Sequence, residues 1–133
     1  MATMFPFELV SPDKVLFSGP AQAVVVPGSE GDFQVLADHE PLMTSIRPGV
    51  VGIDDAQGKN VRVFVRGGFA EVSPIGLTIL AEIAIPYEDL SASHLDQEIK
   101  NAEEDVADAG EDQKRQAQEK LDRLRELKDS MKL

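Results

Sequence analysis

The sequence predicts an α+β protein, an N-terminal antiparallel β-sandwich or flattened barrel followed by a C-terminal antiparallel two-helix hairpin. Three observations carry this expectation. Up to Leu90 the chain is punctuated by glycine and proline, and its apolar residues alternate with period two. From Ser91 to Leu133 there is no proline and a single glycine, Gly110, between two charged stretches of helical periodicity. The intervals between predicted strands leave no room for helical crossovers, which favours antiparallel neighbours. The boundary is therefore placed after residue 88, with 1–88 as the sandwich and 89–133 as the hairpin.

Turn residues set the predicted strands apart. Phe5–Val10 ends at Ser11-Pro12-Asp13, Lys14–Phe17 at Ser18-Gly19-Pro20, and Ala21–Val26 at Pro27-Gly28. Asp32–Leu36 runs into the polar stretch Ala37-Asp38-His39-Glu40-Pro41. Val50–Asp54, Val61–Arg66, Phe69–Val72 and Leu77–Ile83 follow, with turns over Asp55–Lys59 and Ser73–Gly76. Alternation is clearest from Val61 to Arg66, where Arg62, Phe64 and Arg66 share one face and Val61, Val63 and Val65 the other. Gly67-Gly68, inside an apolar run, marks a bulge or corner where a strand bends between sheets.

In the second half, Ser91 is the predicted N-cap, with Leu90 and Leu95 as a hydrophobic staple; Ser93 and Asp96 offer a competing capping box. Leu95, Ile99, Ala102, Val106 and Ala109 form one helical stripe, and Gly110 is the expected left-handed terminator. The second helix is expected from about Asp112 to Met131. Its stripe is Ala117, Leu121, Leu124 and Met131 with Leu127 beside it. Opposite charges four apart, such as Arg115 and Glu119, add about 0.2–0.5 kcal/mol each. Each buried aliphatic side chain adds at most about 1.5–3 kcal/mol, against a backbone ordering cost of about 1–2 kcal/mol per residue. So narrow a stripe leaves the hairpin to dock on the sandwich, dock on a partner, or fray.

Composition narrows the function. A net charge of −11 disfavours nucleic acid and anionic membrane surfaces, both of which need a basic footprint. With no cysteine there is no disulfide or thiol chemistry; with no tryptophan and 5% aromatics a carbohydrate-stacking surface is disfavoured. No apolar run spans a bilayer, and Met1 to Phe7 has the character of neither a signal peptide nor a transit sequence, so no direct membrane insertion is expected. His39 and His94 stand apart without metal-ligand spacing, and neither a calcium loop, a nucleophile elbow nor a phosphate loop occurs. Catalytic residues, metal and cofactor are all expected to be absent. Ser29-Glu30-Gly31-Asp32 reads as a hairpin tip with exposed carboxylates, and the turn chemistry of Asp and Ser accounts for it as it does for Asp38-His39-Glu40-Pro41-Leu42.

Five segments stand in a familiar order. They are Leu16-Phe17-Ser18-Gly19, Pro27-Gly28-Ser29-Glu30-Gly31, His39-Glu40-Pro41-Leu42, Arg47-Pro48-Gly49 and Phe64 through Val72; Leu80-Ala81-Glu82 adds a sixth likeness. With the switch to two helices, the chain resembles the epsilon subunit of F-type, proton-translocating ATP synthase over essentially its whole length. The resemblance implies a non-catalytic rotor subunit of the central stalk, touching the gamma subunit and the polar loops of the c-ring. It places Glu30, Asp32 and His39 at the c-ring contact. It also implies that the helical pair reaches the alpha/beta catalytic head and restrains ATP hydrolysis, with Lys120, Arg123, Arg125 and Lys128 as the basic contacts. The expected location is the cytoplasmic face of the energy-transducing inner membrane, peripheral as part of the complex. One departure stands out: the family's Ile-Asp-x-x-Arg-Ala nucleotide motif corresponds here to Leu90 through Leu95, with Ser91 and His94 in place of its Asp and Arg. Without that guanidinium the bidentate phosphate donor is lost, so ATP binding is expected to be weak or absent. The competing reading is a free-standing β-sandwich binding module with a helical dimerisation hairpin.

Overall fold

The computed structural model describes residues 3–131, the side chains of Ala92, Ser130 and Met131 excepted. It divides into two compact units, Met1–Glu88 and Asp89–Leu133.

The first unit is a sheet of seven strands: β1 (Phe5–Val10), β2 (Val15–Gly28), β3 (Gly31–Val35), β4 (Leu42–Ser45), β5 (Gly49–Asp55), β6 (Asn60–Ser73) and β7 (Gly76–Pro86). Its order is β1-β7-β6-β5-β2-β3, with β4 on β6 and a further pairing of β1 with β2. That last pairing closes β1, β7, β6, β5 and β2 into a ring, the flattened barrel expected from the sequence. Closure is possible because two long strands change partners along their length. β2 pairs with β1 through Ala21 and then with β5 and β3; β6 pairs with β5 up to Val65 and with β4 from Phe69. Each turns its corner at an irregularity, β2 between Ala21 and Ala23 and β6 at Gly67 and Gly68, whose φ values are 74° and 107°. Only glycine enters that region without strain.

Inward positions follow the alternation. Phe5, Phe7 and Leu9 are buried between exposed Pro6 and Glu8, and they meet Val24, Val26, Val51, Ile53, Val65 and Ile79 in one core. Burial of each such side chain stabilises the unit by about 1.5–3 kcal/mol.

Four local expectations are corrected. Ser18-Gly19-Pro20 is not a turn but lies within β2, because its residues are held in register against Glu8, Phe7 and Pro6 of β1. Pro27-Gly28 is likewise paired strand, and the hairpin turn is Ser29-Glu30. β4 was not expected at all. And one neighbour pair, β1 with β7, is parallel: the connection between these strands is the rest of the sheet itself, so no helical crossover is needed.

The second unit holds two helices in contact, α1 (Ala92–Asp108) and α2 (Glu111–Met131). Ser91 is the N-cap, and the capping box closes with His94 rather than through Ser93 and Asp96. The Ser91 hydroxyl accepts from the His94 amide at 3.4 Å, and the Ser91 amide donates to His94 Nδ1 at 3.2 Å. Gly110 is not left-handed. Ala109 is extended (φ −72°, ψ 141°) and ends α1, while the Gly110 carbonyl accepts from the amides of Gln113 and Lys114 and so starts α2. The glycine serves as a helix start, not a stop. Leu95, Ala102, Leu121, Leu124 and Leu127 are buried, and Glu98 is buried with them; Leu127 belongs to the stripe rather than beside it. The Met131 side chain, placed on the same stripe from the sequence, lies outside the described residues. Among the described residues no helix is long and apolar enough to cross a membrane.

Candidate functional site

The first unit carries two neighbouring surfaces of different chemistry. One is a polar flap built from the β2–β3 hairpin and the segment that leads through β4 to Arg47. Main-chain pairing holds the two together: the Ser29 amide donates to the Ser45 carbonyl at 3.0 Å and the Arg47 amide to the Pro27 carbonyl at 2.9 Å, around a bridge between Gly28 and Ile46. The Ser29 and Thr44 hydroxyls lie 3.1 Å apart, and Arg47 Nη2 donates to Asp32 Oδ1 at 2.9 Å.

Glu30 stands exposed in the hairpin turn, Asp32 exposed on β3, and His39 half-buried in the loop after it. That loop is fixed by Asp38 in the left-handed region (φ 65°) and by the His39 amide donating to the Leu36 carbonyl at 3.2 Å. The His39 ring tilts against Phe33 with centroids 6.2 Å apart, and its Nδ1–H donates to the Glu40 carbonyl at 2.7 Å. The structure thus brings all three sequence-derived residues onto one flap but in unlike states: a turn carboxylate, an ion-paired carboxylate and a packed imidazole.

The second surface was missed in the sequence. Pairing registers place Ser45 beside Phe69, Phe69 beside Leu80, and Leu80 beside Val10, so that one row crosses β4, β6, β7 and β1. The next row runs Met43, Glu71, Thr78, Glu8. Met43, Phe69 and Leu80 are 65%, 56% and 54% exposed, although they are large and apolar. A clustering of this kind on an outward sheet face marks a docking surface more often than scattered single residues do. Its signal was present, since Phe69 and Leu80 fall at outward positions of alternating strands, but without β4 and the registers they could not be placed side by side.

In the helical unit, three of the four basic candidates are engaged within the hairpin. Arg125 pairs with Glu103 of α1 at 3.3 Å, Lys128 with Asp96 of α1, and Arg123 with Glu126 one turn on at 3.8 Å. Lys120 lines an open cleft at the helix bend together with Asp105, Asp108, Gln113 and Gln116. Within α2 the expected bond between Arg115 and Glu119 is present at 3.3 Å. Ser91 and His94, which stand where the family's nucleotide motif has Asp and Arg, are used on each other in the helix cap.

Comparison with known proteins agrees over both units. Residues 4–87 match the family model described as the beta-sandwich domain of the ATP synthase delta/epsilon chain. The chain is 54% identical over 129 residues to the ATP synthase epsilon chain of Parvibaculum lavamentivorans, covering 96% of this chain and 98% of that one. It is 46% identical over 121 residues to that of Mesorhizobium japonicum, covering 91% and 90%. Among solved structures, a chain in the OSCP/F1/c-ring structure of Euglena gracilis mitochondrial ATP synthase shares the fold, with a TM-score of 0.73 at 23% identity over 96% of this chain and 81% of that one.

Proposed function

From the premise that this chain belongs to the ATP synthase epsilon chain family, and is therefore a component of that complex, we propose that it works as a rotor adaptor between the gamma shaft and the c-ring. The observation that carries this reading is that one folded body presents two chemically distinct surfaces joined by a single strand. β4 contributes Met43 to the apolar patch and Thr44 and Ser45 to the fastening of the flap.

The apolar patch of Met43, Phe69 and Leu80, bordered by Glu71 and Glu8, suits a permanent contact with the shaft, where burial of large side chains supplies affinity. The acidic flap suits the polar loops of the ring, where charge sets register more than affinity. Coupling requires no chemistry of the chain itself, only that both contacts be held by one rigid element. The helical unit is the restraint on ATP hydrolysis, reaching the alpha/beta head with Lys120, Arg123, Arg125 and Lys128. To do so in an extended form it must release the pairs of Arg125 and Lys128 with α1. Those exposed pairs are worth only about 0–1 kcal/mol each, so most of the cost of opening is re-exposure of the buried leucines, which contacts made in the head must offset. The adaptor sits peripherally at the cytoplasmic face of the energy-transducing membrane. The competing free-standing module gains no support from a family match that extends over both units.

The test is a pair of substitutions at exposed positions. Phe69→Asp with Leu80→Asp is expected to leave the sandwich folded and to weaken association with gamma by at least about thirtyfold, the size of one strong interface residue. Wild-type copurification with gamma would overturn the shaft assignment. ATP recognition is a separate matter. With Ser91 and His94 spent on the helix cap, isothermal titration of the full chain should show no binding at submillimolar ATP, and a micromolar dissociation constant would contradict this.

A further inference from the structure

We propose that Asp32 and Arg47 act as an internal clamp that positions the flap, and that Glu30 rather than Asp32 is the carboxylate presented to the ring. The inference rests on the ring-docking reading above and sharpens it. Arg47 belongs to the strand-like run behind the hairpin, where its amide donates to the Pro27 carbonyl. From there its guanidinium reaches across to Asp32 Oδ1 at 2.9 Å. Its side chain is 35% exposed, and its Nε is buried without a hydrogen-bond partner among the described residues. The Nη2 bond is therefore what orients the group. Arg47 thus holds both margins of the hairpin, Pro27 through its backbone and Asp32 through its side chain.

A carboxylate already bonded to an internal guanidinium offers less to an incoming donor, since breaking that bond offsets making the new one. Glu30, exposed in the turn two residues earlier, meets no such competition from Arg47 in this structure. The division of labour follows: Asp32 fixes where the turn points, and Glu30 makes the contact.

Charge exchange separates the two roles. In the reconstituted complex, Asp32→Arg alone and Glu30→Arg alone are each expected to lower ATP-driven proton pumping relative to hydrolysis. The double variant D32R/R47D should regain the coupling lost in D32R, because an inverted clamp is still a clamp. A double variant as defective as D32R would show that Asp32 itself meets the ring and overturn the inference. Wild-type coupling in both E30R and D32R would instead sink the ring-docking reading, and the clamp's role with it. A second readout on the full chain alone is independent of the ring. Amide hydrogen exchange at Ser29 and Arg47 should quicken about three- to fivefold in D32N, the upper range for an exposed ion pair, and return in the swap. Unchanged exchange in D32N would remove the clamp whatever the coupling data show.

Discussion

Replacing Gly68 with alanine is expected to destabilise the sandwich by about 3–5 kcal/mol, combining left-handed strain with overpacking against a fixed backbone. The position has φ 107°, and a Cβ there would stand 1.8 Å from the carbonyl oxygen of Leu80. No rotamer relieves this, because the obstacle is main chain of the neighbouring strand. The Ile46 amide donates to the Gly68 carbonyl at 2.9 Å, so a shift of β6 here would also loosen the start of the flap. A loss of this size is comparable to the whole stability of many small domains. Urea denaturation of the purified chain measures it. Gly58→Ala is the control: its φ of 78° is also positive, but nothing lies within 4 Å of the added carbon. It should cost only about 1–2 kcal/mol. Equal losses at the two sites would mean that strain alone, without the corner, accounts for Gly68.

Leu124→Ala is expected to cost the helical unit about 2–5 kcal/mol, the range for deleting a buried leucine side chain. Leu124 is 1% exposed and belongs to a small set of buried leucines, so the unit has little in reserve. Ellipticity at 222 nm should fall, while the sandwich core, to which Leu124 does not belong, supplies an internal reference. In the reconstituted head the same variant, by loosening the hairpin, should favour the extended form and lower ATP hydrolysis, whereas a chain ending near Ser91 should raise it. Hydrolysis unchanged by both variants would remove the regulatory part of the proposal and leave the adaptor role standing.

The sequence showed the fold class and most strands because period-two alternation and turn residues are local signals. It failed where long-range pairing overrides local chemistry. Ser18-Gly19-Pro20 has turn composition, yet its register against β1 keeps β2 running straight through it. Gly110 has terminator character, yet the extended Ala109 ends α1 first and leaves the glycine to open α2. β4 escaped notice because four residues between a loop and Arg47-Pro48-Gly49 offer too little alternation to read. The candidate site divides the same way. Glu30, Asp32 and His39 came from the resemblance to the epsilon subunit, since turn chemistry alone left them unremarkable; the bond from Arg47 to Asp32 spans segments that only folding brings together. The grouping of Met43, Phe69 and Leu80 depends on registers across three strands, which no local pattern encodes.

The double pairing of β1 has a consequence for how the protein comes into being. Phe7 is matched on one edge by Gly19 and on the other by Leu77. The first partner is near in sequence and is synthesised at once; the second emerges only when most of the body has been made. During synthesis from the N-terminus, β1 and the first half of β2 can close a hairpin early, but the far edge of β1 then waits with unpaired amides and carbonyls. Closing that long loop is an entropic cost met before its contacts repay it, and sheets of such high contact order fold slowly. The body should therefore reach its closed form late on the ribosome, after β7 has cleared the exit tunnel. The helical unit, made last but built from contacts between sequence neighbours, should then form almost as soon as it is free.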